Sequence, residues 1–122
     1  MKLLESGEDY LERILVLSKK KEFVKSIDIV ESMSFSKPSV SIAMKKLREN
    51  GYILIDEKGY ITLTDLGRSV AEKTYERHQV LSDLFISIGV DEDTAKADAC
   101  RVEHDLSDET FEAIKKHFAQ VK

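Results

Sequence analysis

One cysteine, one proline and no tryptophan stand in 122 residues, and each scarcity removes a class of protein. A single thiol, Cys100, closes no disulfide within the chain, so it is either packed in a core or chemically used. With one proline and five glycines the sequence holds no proline-rich linker, low-complexity segment or internal repeat. Nowhere does an apolar run approach the ~20 residues that span a bilayer, which sets a membrane partner aside. Residues 1–5 turn acidic at Glu5 before a signal-peptide core forms, so a cytoplasmic location is expected. What is left, 42% hydrophobic and 34% charged residues, is a globular composition for one domain or a small unit with a helical extension.

Basic charge is also in short supply, the net charge being −4, which opposes binding to a polyanion. Its distribution reverses that inference locally. Residues 1–62 carry eleven Lys/Arg against ten Asp/Glu, while residues 63–122 carry eight against thirteen. Within residues 32–48 there are four bases, Lys37, Lys45, Lys46 and Arg48, and no acid. That is a basic face on an acidic protein.

Hydrophobic spacing predicts a mainly α fold with one small β-hairpin. Ser6 is placed to cap a first helix reaching about Lys19, and Ser26 a second through Met33. Ser34, Phe35 and Ser36 form a turn into a third helix, with Pro38 in its first turn and Gly51 after its end. Two short strands, 52–55 and 60–63, flank a glycine-containing turn. Thr64 caps a long helix ending near Ile88 before Gly89; Asp91 opens another to about Leu106; Ser107 caps a last one through Phe118. This order predicts an N-terminal winged helix-turn-helix, 1–64, followed by an all-helical dimerisation domain, 65–122.

In the third helix Val40, Ala43, Met44 and Leu47 share one side, leaving Ser39, Ser41, Ile42, Lys45, Lys46 and Arg48 for the other. Hydroxyls near the helix start and bases further along suit a major groove, with Ser36 and Lys37 at the entry. Ile42 meets a thymine methyl group or covers the rim of the core, and Lys58 in the hairpin turn is a phosphate contact or a plain surface lysine.

Cys100, Glu103 and His104 stand at i, i+3 and i+4, so one helical turn brings thiol, carboxylate and imidazole together, on an arc flanked by Ala97 and Ala99 and away from the charged face of Asp98, Arg101 and Asp105. Their side chains are expected to point inward. His78 lies on the apolar stripe of Ala71, Leu81 and Phe85, and Asp9 and Glu12 share a face of the first helix with Val16. Each has a plainer reading: Cys100 as a core filler, His78 as a hydrogen-bonded core histidine, Asp9 and Glu12 as acids at a helix start. Taken as donors, they suit a divalent first-row metal better than Ca or Mg.

Several segments, in order, resemble the diphtheria toxin repressor family, the metal-dependent repressors of iron and manganese uptake. They are Asp9-Tyr10-Leu11-Glu12, Lys37-Pro38-Ser39-Val40-Ser41, Ile61-Thr62-Leu63-Thr64-Asp65-Leu66-Gly67, Arg77-His78, Gly89-Val90, and Cys100-Arg101-Val102-Glu103-His104-Asp105-Leu106-Ser107. The resemblance implies a homodimer on a double-stranded DNA operator, with Mn(II) or Fe(II) as co-repressor and one or two ions per subunit. It assigns Asp9, Cys100, Glu103 and His104 to one ion, and Glu12 and His78, joining Cys100 and Glu103, to a second. Asp9 resembles the manganese branch and Cys100 the iron branch, so both metals stay open. Ser82 and Lys96 stand where the iron branch's ancillary site has glutamate and histidine, and an end near Lys122 leaves no room for that branch's SH3-like domain.

A metal-dependent transcriptional repressor is therefore expected. The alternative is a winged-helix regulator indifferent to metal. A metalloenzyme using Glu103 or Glu12 as general base is disfavoured, since no substrate pocket or lid is legible.

Overall fold

In a computed structural model the described residues are 5–121, so the expectation resting on residues 1–4 and the chain end at Lys122 lie outside them. The elements run α1 (Glu5–Lys20), α2 (Ser26–Met33), α3 (Lys37–Glu49), β1 (Ile53–Ile55), β2 (Ile61–Leu63), α4 (Asp65–Ser87), α5 (Glu92–Val102) and α6 (Asp108–Val121). None is long and apolar enough to cross a membrane. The chain divides into two compact units, one running through Lys73 and the other beginning at Thr74.

In the first unit α1 buries Tyr10, Leu11, Ile14 and Leu15 as a single stripe. Ile29 of α2, Val40, Met44 and Leu47 of α3, Ile53 and Ile61 of the hairpin and Ala71 of α4 are buried as well. Two expected caps differ. Ser6 lies inside α1, and Ser26 is the first helical residue of α2 instead of its cap. The α2 start is closed by Asp28, whose carboxylate accepts the Lys25 N–H at 2.8 Å and pairs with Lys21. That reach-back does the work of a hydroxyl cap one residue earlier. The Lys21 ammonium, with the Lys25 N–H behind it, holds the Asp28 carboxyl below its ordinary pKa.

Between α2 and α3, Ser34 adopts φ 56° and Phe35 meets Tyr10 edge to face at 5.8 Å, so the turn is fastened to α1. Strands β1 and β2 pair antiparallel with Ile53 opposite Leu63 and Ile55 opposite Ile61. Asp56 closes their turn by accepting the N–H groups of Lys58 and Tyr60, both at 2.9 Å, while Gly59 takes φ 82°. Val24 adds a single bridge to Ile61. Thr64 caps α4 as expected, accepting the Gly67 N–H at 3.1 Å and donating to the Gly51 carbonyl at 2.6 Å. Gly67 is required there: a Cβ would run into the Tyr52 carbonyl.

The second unit is helical. Asp91 caps α5 through the Thr94 N–H, Ser107 caps α6 through the Thr110 N–H, and Gly89 turns the chain at φ 104°. Leu81, Ala95, Ala99, Phe111 and Phe118 are its buried apolar residues. The α5 helix ends at Val102, short of the expected Leu106, and the next four residues form a turn.

Candidate metal centre and DNA-facing helix

At the end of α5 Glu103 keeps helical backbone angles, its N–H bonded to the Ala99 carbonyl at 2.9 Å, and His104 follows in the turn. Ala95, Ala99 and Glu103 are buried at spacings of four, so Glu103 continues the apolar stripe and is 1% exposed. Cys100, one position on from Ala99, is exposed. The expected burial of Cys100 is therefore corrected, but its convergence with Glu103 stands: the Cys100 Sγ and a Glu103 carboxylate oxygen lie within 4.8 Å of one another. Glu103 and His104 lie past the last helical residue, in the turn, and the His104 side chain is only 4% exposed.

Both oxygens of the Glu103 carboxylate face an imidazole. His78 Nδ1, from α4, stands 3.1 Å from Oε2, and His104 Nε2 stands 3.5 Å from Oε1. The Oε1 atom is buried and has no hydrogen-bond partner among the described residues. A carboxylate out of water with one oxygen unmatched is costly. A cation is the species that such an oxygen, flanked by two imidazoles, accommodates best, so these residues fit a divalent metal.

Asp9 and Glu12 are half-buried on α1, three residues apart and thus on one face. Lys96 is exposed and paired with Glu92 at 2.9 Å, whose carboxylate raises the ammonium pKa. Ser82 is buried with its hydroxyl unpartnered among the described residues. Neither offers a metal the glutamate or histidine of an iron-type ancillary site.

Sequence reasoning named Arg77 only within the family resemblance and gave it no role of its own. It is buried on α4, its Nη1 donating to the carbonyls of Glu103 (2.9 Å) and Leu106 (2.6 Å), its Nη2 to Asp108 Oδ1 (2.7 Å), and its guanidinium lying 5.1 Å from the Phe111 ring centre. The signal was present: Arg77 falls at helical spacing between Thr74 and Leu81, both buried. Also unread were the stack of Phe23 on Tyr60, 4.3 Å between centroids, and Lys25 over the Tyr60 ring.

On α3, Val40, Met44 and Leu47 are buried, and Ser39, Ser41, Ile42, Lys45, Lys46 and Arg48 are exposed, as are Ser36, Lys37 and Lys58. Ile42 is 58% exposed, which removes its alternative as a cover for the core rim. Ser36 caps the helix, accepting the Ser39 N–H at 3.2 Å and donating to the Ser39 hydroxyl at 2.8 Å. A hollow of about 250 Å³ lies beside this face, lined by Ser26, Ser41, Met44, Lys45, Arg48 and Ile55. Hydroxyls and bases on one exposed side match the chemistry of a phosphate backbone.

Residues 2–63 match the family described as iron dependent repressor, N-terminal DNA binding domain, and residues 64–122 the one described as iron dependent repressor, metal binding and dimerisation domain. An uncharacterized HTH-type transcriptional regulator of Methanocaldococcus jannaschii is 34% identical over 113 residues, covering 91% of this chain and 90% of that protein. The HTH-type transcriptional regulator MntR of Lysinibacillus sphaericus is 32% identical over 109 residues, covering 89% and 78%. Among solved structures, the manganese regulator SloR superposes with a TM-score of 0.82 at 31% identity, covering 98% of this chain and 55% of that one. A manganese-dependent transcriptional repressor in complex with manganese gives 0.83 at 28%, covering 93% and 52%. The chain thus spans about half the length of these solved chains.

Proposed function

Because this chain belongs to the iron-dependent repressor family, we propose that Mn(II) or Fe(II), at one or two ions per subunit, acts as co-repressor for a homodimer that holds a double-stranded DNA operator. The family is one of metal-dependent transcriptional repressors, and its named relatives are regulators and not enzymes. Membership also favours this reading over a regulator indifferent to metal.

The observation that carries the proposal is the buried Glu103 carboxylate, held between two imidazoles with Oε1 unmatched. Glu103, His104, His78 and Cys100 form the donor set of the helical part, and Asp9 and Glu12 are added from the family resemblance. When bound, a divalent ion supplies the positive charge that lets carboxylates, a thiolate and imidazoles converge out of water. Glu103 acts as the shared donor, while His78 orients its Oε2. DNA contact is assigned to residues 1–64: Ser39, Ser41 and Ile42 toward base edges, and Ser36, Lys37, Lys45, Lys46, Arg48 and Lys58 toward phosphates. A ligand that binds one arrangement of donors more tightly shifts the population toward it, and DNA affinity follows by linkage.

The test is a fluorescence titration of DNA binding against Mn(II) and, without oxygen, Fe(II), on the wild type and Cys100→Glu. Metal-dependent DNA binding is expected, with Cys100→Glu shifting preference from Fe(II) toward Mn(II). If neither ion binds, or binding leaves DNA affinity unchanged, the proposal fails.

A further inference from the structure

We propose that Arg77 is a positioning residue that fixes the donors of the metal site, an inference resting on the reading of Glu103, His104 and His78 as ligands. Arg77 and His78 are consecutive on α4, yet they hold different parts of one residue: Arg77 the main-chain carbonyl of Glu103, His78 its carboxylate. One turn of helix thereby fixes both where Glu103 sits and which way it faces. The same guanidinium holds the Leu106 carbonyl and the Asp108 carboxylate, so it spans the whole turn that contains His104. Only a planar fork with donors on both arms reaches three acceptors this way; an ammonium does not.

Electrostatics predicts the opposite effect, which makes the role separable. A buried cation near a metal site repels the metal, so its charge opposes binding, and the neutralising partners are Asp108 and two carbonyls. Removing the charge strengthens metal binding if charge is what matters, and weakens it if geometry is.

The experiment is calorimetric titration of Mn(II) into Arg77→Lys and Arg77→Gln dimers, with circular-dichroism melting and amide hydrogen exchange on the metal-free proteins. Both variants are expected to bind Mn(II) at least about tenfold more weakly, the loss typical of outer partners of metal ligands, with faster exchange at the Asp105 amide, which donates within the turn to Val102. Asp108→Ala removes one of the three anchors from an exposed position and keeps the question answerable if the Arg77 variants fail to fold. It is expected to weaken Mn(II) binding about threefold, a fraction of that same outer-partner loss, and to speed the same exchange. Arg77→Lys binding within twofold of wild type, Arg77→Gln binding more tightly, or Asp108→Ala unchanged in both readouts overturns the inference alone. A wild-type chain that binds neither Mn(II) nor Fe(II) overturns the proposed function with it.

Discussion

At residue 103 a carboxylate takes a place that the apolar pattern of α5 reserves for alanine, in series with Ala95 and Ala99. An ionisable group there costs the metal-free protein stability, because one oxygen is unmatched. Glu103→Gln is expected to leave the metal-free melting temperature unchanged or a few degrees higher, its amide donating to a neighbouring imidazole, while Mn(II) affinity drops by about a hundredfold. A variant that melts well below wild type would show the carboxylate to be structural. Of the candidate donors, Glu103, His104 and His78 were legible as a group, since spacing and stripe position both favoured them. The spacing of three residues also brought Cys100 beside Glu103, although the thiol is exposed where burial was expected.

Between elements, the turn after α5 is fastened from a distance: the carbonyls of Glu103 and Leu106 are held by Arg77, twenty-six and twenty-nine residues away in sequence. No local pattern reports such a capture, whereas the other helix ends, marked by Gly51, Gly89 and the Thr64 and Ser107 caps, were legible because their causes are local. The start of α2 is open to a pH test. Asp28 has a depressed pKa in the fold, so its contribution is present above the ordinary carboxylate range and is lost as pH falls below about 4. Asp28→Ala is expected to cost about 1 kcal/mol at neutral pH, the usual loss for an N-terminal cap, and nothing further in acid. Urea melts of both proteins from pH 7 to 3 should converge. At the start of α4, Gly67→Ala places a methyl against the Tyr52 carbonyl and is expected to destabilise the first unit by about 2–3 kcal/mol in the same melts.

The whole molecule carries −4, yet α3 exposes its bases on one side. Binding to DNA therefore depends on a small local field, and salt should erode it steeply. Lys45→Ala with Lys46→Ala is expected to weaken binding to every DNA sequence alike and to lower the slope of log K against log salt by about two, roughly one phosphate per lysine. An unchanged slope would place the DNA on another face. Mn(II) at a hundred times its Kd should raise stability by about 2.7 kcal/mol, visible as a higher melting temperature. The exposure of Cys100 has one more use. As the chain's single sulfhydryl it accepts one maleimide dye per subunit, and an ion that recruits the thiolate would slow that labelling, making alkylation rate an occupancy gauge that needs neither DNA nor a mutation.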